Sequence, residues 1–387
     1  MIDEKLVRRT PPLSGLLVVS LEQAIAAPFL TRQLADLGAR VIKVERPDGG
    51  DFARAYDQRA AGMSSHFVWV NRGKQSVVLD LKLARDIEVV KAMALQADVF
   101  VQNLAPGAAE RMGLGHSTLM QANPKLIVCD ISGYGNSGPY RDRKAYDLLI
   151  QAESGFLSVT GTPDEPAKAG SSIADIAAAM YGYTSVLAAL LQRGKTGLGS
   201  HIDVSMLESL TEWMSFPLYY AYDNAEPPER SGAAHATIYP YGPFAVGDGS
   251  TVMLGIQNER EWASFCALVI GNAALAQDEL FASNAMRHQN RAALKTIILQ
   301  RFAQLTGEQA IGLLELAKIA NARVNTLKDV WQHPQLAART RWQNVDSPVG
   351  PLPSLKPPGQ QSAFDYACGA IPSLGQHTQD ILKEFGF

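Results

Sequence analysis

Cysteine is scarce in this 387-residue chain. Cys129, Cys266 and Cys368 lie far apart, and none stands in a C-x-x-C spacing. That excludes a disulfide framework and a zinc knuckle and makes the cytoplasm the expected setting. The seven histidines are scattered, with no H-E-x-x-H and no H-x-H pair, so the spacing predicts no transition-metal centre. No unbroken apolar run approaches the roughly 18 residues that span a bilayer, and no membrane partner is expected. The first residues, Met1-Ile2-Asp3-Glu4-Lys5, mix charges and have no apolar core behind them, unlike a secretory signal. An excess of one charge is missing as well. The net charge of −3 argues against a nucleic-acid partner, which calls for a basic face.

Several catalytic signatures are also absent. No G-x-G-x-x-G follows the first apolar run; the turn there reads Glu22-Gln23-Ala24-Ile25-Ala26-Ala27-Pro28. A nicotinamide dehydrogenase is therefore not expected. The phosphate loop G-x-x-x-x-G-K-[ST] and the nucleophile elbow G-x-S-x-G are missing too.

What is present is a long, apolar chain, 47% hydrophobic and 19% charged, enough for two domains or three. Its first half alternates strand and helix signals. The run 16–21 reads as a buried strand, and a periodic stretch opening at Pro28 ends before Gly38. Further strands are predicted over 41–45, 76–80, 98–102 and 125–130, with helices over 83–96 and 116–122. This alternation implies a doubly wound parallel sheet, whose ligands bind beyond the carboxyl ends of the strands. Residues 173–193 read as a buried helix. The polar, Pro-rich stretch 222–235 is the best linker, and 236–325 carries the strands and helices of a second, smaller domain. The Pro-rich segment 346–360 is expected to wrap over a surface.

The predicted ligand edge is rich in cations: Lys43, Arg46, Arg54, Arg72, Lys74, Lys82, Arg111, Arg141, Arg143 and Lys144. A phosphorylated ligand needs such groups, although each taken singly is ordinary surface charge. Asp175, amid Gly170-Ser171-Ser172-Ile173-Ala174-Asp175-Ile176-Ala177, is either a first-turn residue of an apolar helix or a catalytic carboxylate. Asp147 presents the same choice.

In order and spacing, a series of short motifs resembles the class III CoA-transferases. They include Ala27-Pro28, Leu34-Ala35-Asp36-Leu37-Gly38-Ala39, Val41-Ile42-Lys43-Val44-Glu45-Arg46-Pro47, Gly50-Asp51 and Asn71-Arg72-Gly73-Lys74. Further on come Leu79-Asp80-Leu81-Lys82, Ala105-Pro106-Gly107, Arg111-Met112-Gly113-Leu114-Gly115, Ile131-Ser132-Gly133-Tyr134-Gly135, Gly138-Pro139-Tyr140, Asp175 and Leu374-Gly375-Gln376-His377-Thr378. The resemblance spans nearly the whole chain. It implies an α/β fold: a doubly wound, Rossmann-like large domain (1–222, with 326–387 returning to it) and a smaller α+β domain (223–325), in a homodimer of interlocked rings. It implies Asp175 as the nucleophile and Asp147 as a second active-site carboxylate. It places coenzyme A against Ala26, Arg46, Leu79, Lys82, Asn103, Leu104, Arg111, Lys144 and Tyr146, as a substrate rather than a permanent cofactor, with no metal. His235 and Tyr239 are candidates for the acyl pocket; packing at a domain junction is the alternative for both.

The chemistry fits that assignment. An aspartate is ordinarily ionised at pH 7 and needs no base to attack a thioester. The acceptor acid suggested by the resemblance is a short dicarboxylate such as mesaconate, citramalate, itaconate or succinate. Two other readings stand beside it. The related α-methylacyl-CoA racemases use a histidine–aspartate pair, but the residue before Asp147 here is Tyr146, a poor proton shuttle near neutrality. A protein that binds CoA without turnover is the third reading. The glycine-rich lid of formyl-CoA transferases has no counterpart in 236–250, which counts against oxalate or formate.

Overall fold

In the computed structural model, which describes residues 10–387, the chain divides into two compact units. The reading of Met1–Lys5 lies outside the described residues. The first unit comprises residues 10–155, Ala169–Ser215 and Gln335–Phe387; the second comprises Phe156–Lys168 and Phe216–Pro334. The short excursion Phe156–Lys168 has no composition shift to mark it, and the expected division at 222/223 and 325/326 does not include it.

Six strands form the sheet of the first unit: β1 (Leu17–Leu21), β2 (Arg40–Glu45), β3 (Lys74–Val78), β4 (Val99–Gln102), β5 (Ile127–Ser132) and β6 (His201–Ser205). Their order is β3-β2-β1-β4-β5-β6 and every neighbouring pair is parallel. The chain reverses its direction of winding between β1 and β4, so the crevice beyond their carboxyl ends is the favoured ligand position. Helices α1 (Ala26–Asp36), α2 (Ala84–Gln96), α3 (His116–Ala122), α4 (Asp147–Glu153) and α5 (Ile173–Thr196) belong to this unit. The second unit contributes α6 (Arg291–Phe302) and α7 (Gly307–Leu316), and α8 (Thr378–Glu384) closes the chain.

The strands read as continuous apolar runs because both sheet faces are covered. On one face Val19, Ile42, Val77, Phe100 and Val128 meet α2, α3 and Ile381 of α8. On the other lie α1 and α5, packed against each other. Gly182 permits the close approach of α5: a Cβ there would stand 2.5 Å from Leu30 Cδ1 and 3.6 Å from Cys129 Sγ. Helix α1 starts two residues before Pro28, which falls in the first turn where a missing N–H costs nothing. It stops ahead of Gly38, whose φ of +96° and 2.6 Å approach to Pro11 both require glycine.

Helix α5 departs from one expectation. Over its 24 residues it is long and apolar enough, by length and composition alone, to cross a membrane. Polar residues interrupt its apolar runs, so a search for an unbroken stretch passes over it. In this fold Ala174, Ala177, Ala178, Ala179, Gly182 and Val186 are its buried stripe.

The C-terminal segment belongs to the first unit. The Pro-rich stretch lies in an antiparallel hairpin of β10 (Trp342–Val345) and β11 (Leu352–Leu355). The last motif of the chain runs along β3. His377 N donates to Ser76 O and His377 Nδ1 accepts from Ser76 N, while Thr378 Oγ1 accepts from Val78 N. These bonds cover an edge that would otherwise be open to pairing. The second unit is built on three antiparallel strands, β7 (Tyr241–Ala245), β8 (Thr251–Gly255) and β9 (Ala320–Arg323). Its core is aromatic and aliphatic, with Phe244, Trp262, Phe265, Leu294, Phe302 and Leu314 fully buried.

Candidate active site

The turn after β1 rests on a buried ionic network. Lys43 Nζ donates to Asp51 Oδ2 at 2.5 Å and to Glu22 Oε1 at 3.4 Å. Lys74 Nζ donates to Glu22 Oε1 at 2.5 Å, Pro28 O at 2.9 Å and Asn71 Oδ1 at 3.1 Å, so three acceptors match its three N–H groups. The side chains of Glu22, Lys43 and Lys74 are wholly shielded from solvent. Burial pulls the Lys74 ammonium down to about 7; Glu22 opposes this and Lys43 adds to it. Burial also works against the Glu22 charge, yet Lys74 and Lys43 hold it below its ordinary value. Asp51 Oδ1 accepts from Ala24 N at 2.9 Å and holds that residue in the left-handed region at φ +62°. The network thus sets the shape of the turn leading into α1.

Beyond the ends of β1 to β4 lies a cavity of about 230 Å³. It brings together Arg46, Leu79, Lys82 and Leu104, four of the residues that the family resemblance assigns to coenzyme A. Arg46 Nε donates to Gly50 O, and its guanidinium lies 4.0 Å over the Phe52 ring. Asn103 is committed elsewhere: its amide accepts from Gln23 N and donates to Gln23 O, both at 2.9 Å. That reciprocal clamp joins β1 to β4 at the reversal of winding, so the Asn103 side chain acts on the turn. Leu104 N donates to Gln102 Oε1. Ala26 is buried as the first residue of α1, and Arg111 and Lys144 are exposed.

The ten cations expected at this edge separate into two groups. Lys43, Lys74 and Arg72 are buried in internal pairs, Arg72 with both oxygens of Asp36. Arg54 makes a two-pronged contact with Glu45, and together with Lys43 and Ser76 it lowers that carboxyl to about 2 against the cost of burial. These four serve the fold. Arg46, Lys82, Arg111, Arg141, Arg143 and Lys144 face solvent. Sequence could not separate the groups, because both lie in or near the same strands and turns and only the packing around them decides which are enclosed.

Asp175 stands in the first turn of α5. The cap Ser172 makes no side-chain bond to that turn. Asp147, at the start of α4, does so instead: its Oδ1 accepts from Ala174 N at 2.8 Å and Asp175 N at 3.3 Å. Its Oδ2 accepts from Gln151 Nε2 at 2.6 Å, and Gln151 Oε1 accepts from Ala169 N. Gln151 is fully buried and was missed from sequence; the available signal was its place four residues after Asp147 on one helix face. Asp175 is half-buried. Burial first, and the Asp147 charge second, raise its carboxyl from 3.8 to about 7. This corrects the expectation of an ordinary, fully ionised aspartate at pH 7. Tyr56 is a second residue that sequence reading passed over. Its hydroxyl is raised by burial first and then by Asp51, Asp175 and Tyr146, so it feels the Asp175 charge. Tyr146 precedes α4 in extended conformation and is 71% exposed.

His235 and Tyr239 belong to the second unit. His235 Nδ1 accepts from Thr237 N and Ile238 N, and the ring stacks on Tyr241. Tyr239 lies in the core of the unit against Phe244, with burial raising its hydroxyl to about 12. That is the packing alternative for Tyr239: its ring is enclosed by core side chains.

A doubly wound sheet with a cavity holding Arg46 and Lys82 at its carboxyl edge, a half-buried carboxylate pair in the same unit and no dinucleotide fingerprint suit an acyl-transfer enzyme that takes a thioester of coenzyme A. Residues 13–378 match CoA-transferase family III, and the chain belongs to that family. It is 35% identical over 377 residues to the succinyl-CoA:glutarate CoA-transferase of Mus musculus, covering 96% of this chain and 86% of the relative. It is 36% identical over 379 residues to the acetyl-CoA:oxalate CoA-transferase of Acetobacter aceti, covering 97% and 96%. Among solved structures, a CAIB/BAIF family protein from Brucella suis superimposes with a TM-score of 0.87 at 34% identity, over 97% of this chain and 100% of that one.

Proposed function

We propose that this class III CoA-transferase moves coenzyme A from an acyl-CoA to a short dicarboxylate, with Asp175 as the nucleophile. The observation that carries the assignment is the Asp175 carboxylate, half-buried in the first turn of α5 and positioned through its own N–H by Asp147. The ionised Asp175 attacks the thioester carbonyl, and the tetrahedral oxyanion collapses to expel CoA thiolate, leaving an aspartyl–acyl anhydride. The thiolate, a workable leaving group at a pKa of about 8.5, attacks the aspartyl carbonyl and releases the donor acid. An aspartyl-CoA thioester remains. The acceptor carboxylate attacks that carbonyl and expels the thiolate; the thiolate then takes the acceptor acyl group and frees Asp175.

Each oxyanion needs donors aimed at it. The N–H groups of Ala26 and Ala27, in the first turn of α1, suit this role, since Ile25 provides no side-chain cap there. Coenzyme A lies along Arg46, Leu79, Lys82 and Leu104, with Arg111 and Lys144 meeting phosphate oxygens and the Asn103 side chain holding the turn. Asp147 is a positioning residue, and Tyr146 meets coenzyme A.

Both relatives carry a dicarboxylate acceptor in their names, glutarate in one and oxalate in the other, which supports that substrate class. The oxalate relative keeps oxalate in consideration although 236–250 has no glycine-rich lid. We also propose the homodimer of interlocked rings. Exposed apolar side chains at Phe216, Tyr219 and Tyr222 support it, because a monomer leaves them in water.

The test is intact mass spectrometry after incubation with acyl-CoA donors, succinyl-CoA first, trapped with hydroxylamine or borohydride. Glutarate, mesaconate, citramalate, itaconate and oxalate serve as acceptors. An adduct on the peptide bearing Asp175 is expected. Asp175→Ala abolishes turnover and retains CoA binding; loss of both would assign the residue a structural role. Exchange of an α-proton with solvent and no adduct would establish the racemase reading.

A further inference from the structure

Three side chains far apart in sequence meet outside the acyl-transfer site. His116 opens α3, Asp130 lies on β5 and His201 begins β6. One atom from each falls within 4.8 Å of the other two. Asp130 Oδ2 lies 2.8 Å from His201 Nε2 and 4.0 Å from His116 Nδ1. The two imidazoles are stacked, 3.7 Å between centroids and 5° from parallel, so both present a nitrogen to the same carboxylate oxygen.

We propose that His116, Asp130 and His201 form a binding site for a divalent transition metal, zinc being the best match to the donor set. Two neutral imidazoles and one carboxylate suit Zn²⁺, and three protein ligands leave a coordination position open to solvent. Ligands at about 2.0–2.1 Å from a tetrahedral ion stand roughly 3.3 Å apart. The observed 2.8 and 4.0 Å bracket that separation; the rings, parallel and 3.7 Å apart, tilt out of their stack on binding so that the in-plane lone pair of each nitrogen reaches one ion. The carboxylate is already oriented: Asp130 Oδ1 accepts from Gln102 Nε2 at 2.9 Å, as outer partners of metal ligands do. Asp203, opposite Asp130 across β5 and β6, and Glu110 add negative charge around His201. Side-chain exposures of 35% for His116, 15% for Asp130 and 20% for His201 let an ion enter without opening the chain. None of the three takes part in the proposed acyl transfer.

The experiment titrates EDTA-treated, desalted full-length protein with Zn²⁺ by calorimetry and with Co²⁺ by its visible d–d absorption. One ion per chain is expected, with a Co²⁺ spectrum of low coordination number. His116→Ala and His201→Ala each weaken Zn²⁺ at least about tenfold. His66→Ala, at a histidine paired with Asp57 elsewhere, leaves binding unchanged. Asp130→Asn keeps the shape of the site and removes the anionic ligand, so it weakens the ion even if an alanine variant folds poorly. Absence of saturable binding of either ion would overturn the site. So would binding undiminished in all three site variants, which would place the ion elsewhere and leave a stacked pair held by a hydrogen bond.

Discussion

Opposing influences meet at Asp175. Its place in the first turn of a helix favours the anion, while burial and Asp147 favour the acid and prevail, at about 7. The proposed nucleophile is therefore near half-ionised at neutrality. kcat/KM is expected to rise about tenfold per pH unit on the acid side and level off above about pH 7; a profile flat from pH 5 to 8 would contradict this. Stability runs the other way. The folded pKa lies above the free value of 3.8, so the folded chain holds the extra proton. The stability linked to it is complete below about pH 4 and lost as pH rises through about 7. Asp175→Asn should accordingly melt above wild type at pH 8, with the difference shrinking toward pH 5, as thermal scans across pH would show.

At the scale of elements, two devices hold the site in place. One is the cap of α5, supplied from α4 by Asp147 rather than by the local Ser172. Asp147→Ala should cost about 0.5–2 kcal/mol of stability and lower kcat more than it alters CoA affinity, because Asp175 loses its orientation; equal loss in both would reject the positioning role. The other is the network beneath the turn after β1. Lys74→Met leaves Glu22 buried with one cation fewer, and removing one partner of such a group costs about 3–5 kcal/mol. Denaturant unfolding measures this directly, and a variant within 1 kcal/mol of wild type would show that the network adds little. The motif carrying Lys74, Asn71-Arg72-Gly73-Lys74, was legible as a motif, but its purpose was not: Arg72 and Lys74 turn inward because α1 and the C-terminal hairpin enclose them.

At the scale of the whole molecule, the first unit is assembled from distant stretches, its last segment returning to run along β3. A chain truncated before Leu374 loses the bonds to Ser76 and Val78 and bares the β3 edge, so lowered soluble yield and aggregation are expected; a monodisperse truncated protein would count against the covering role. Light scattering of the full chain should give twice the mass of one chain. A monomeric mass would remove the proposed interlocked assembly and leave Phe216, Tyr219 and Tyr222 unexplained.

Sequence by itself determined the alternation of elements and hence the parallel sheet. Buried strands need unbroken runs such as Leu16–Leu21, and their crossovers need helical periods. It also singled out Asp175, through a carboxylate amid small and apolar neighbours. Edge strand β6, with His201, Asp203 and Ser205, has no apolar run and was not legible. Tertiary structure decided the rest: which cations are enclosed, that Asp147 and Gln151 hold the first turn of α5, that Asp175 titrates near neutrality, and that His116, Asp130 and His201 meet. Charge state and side-chain company depend on burial and on neighbours brought together across long loops, and neither is a property of local spacing.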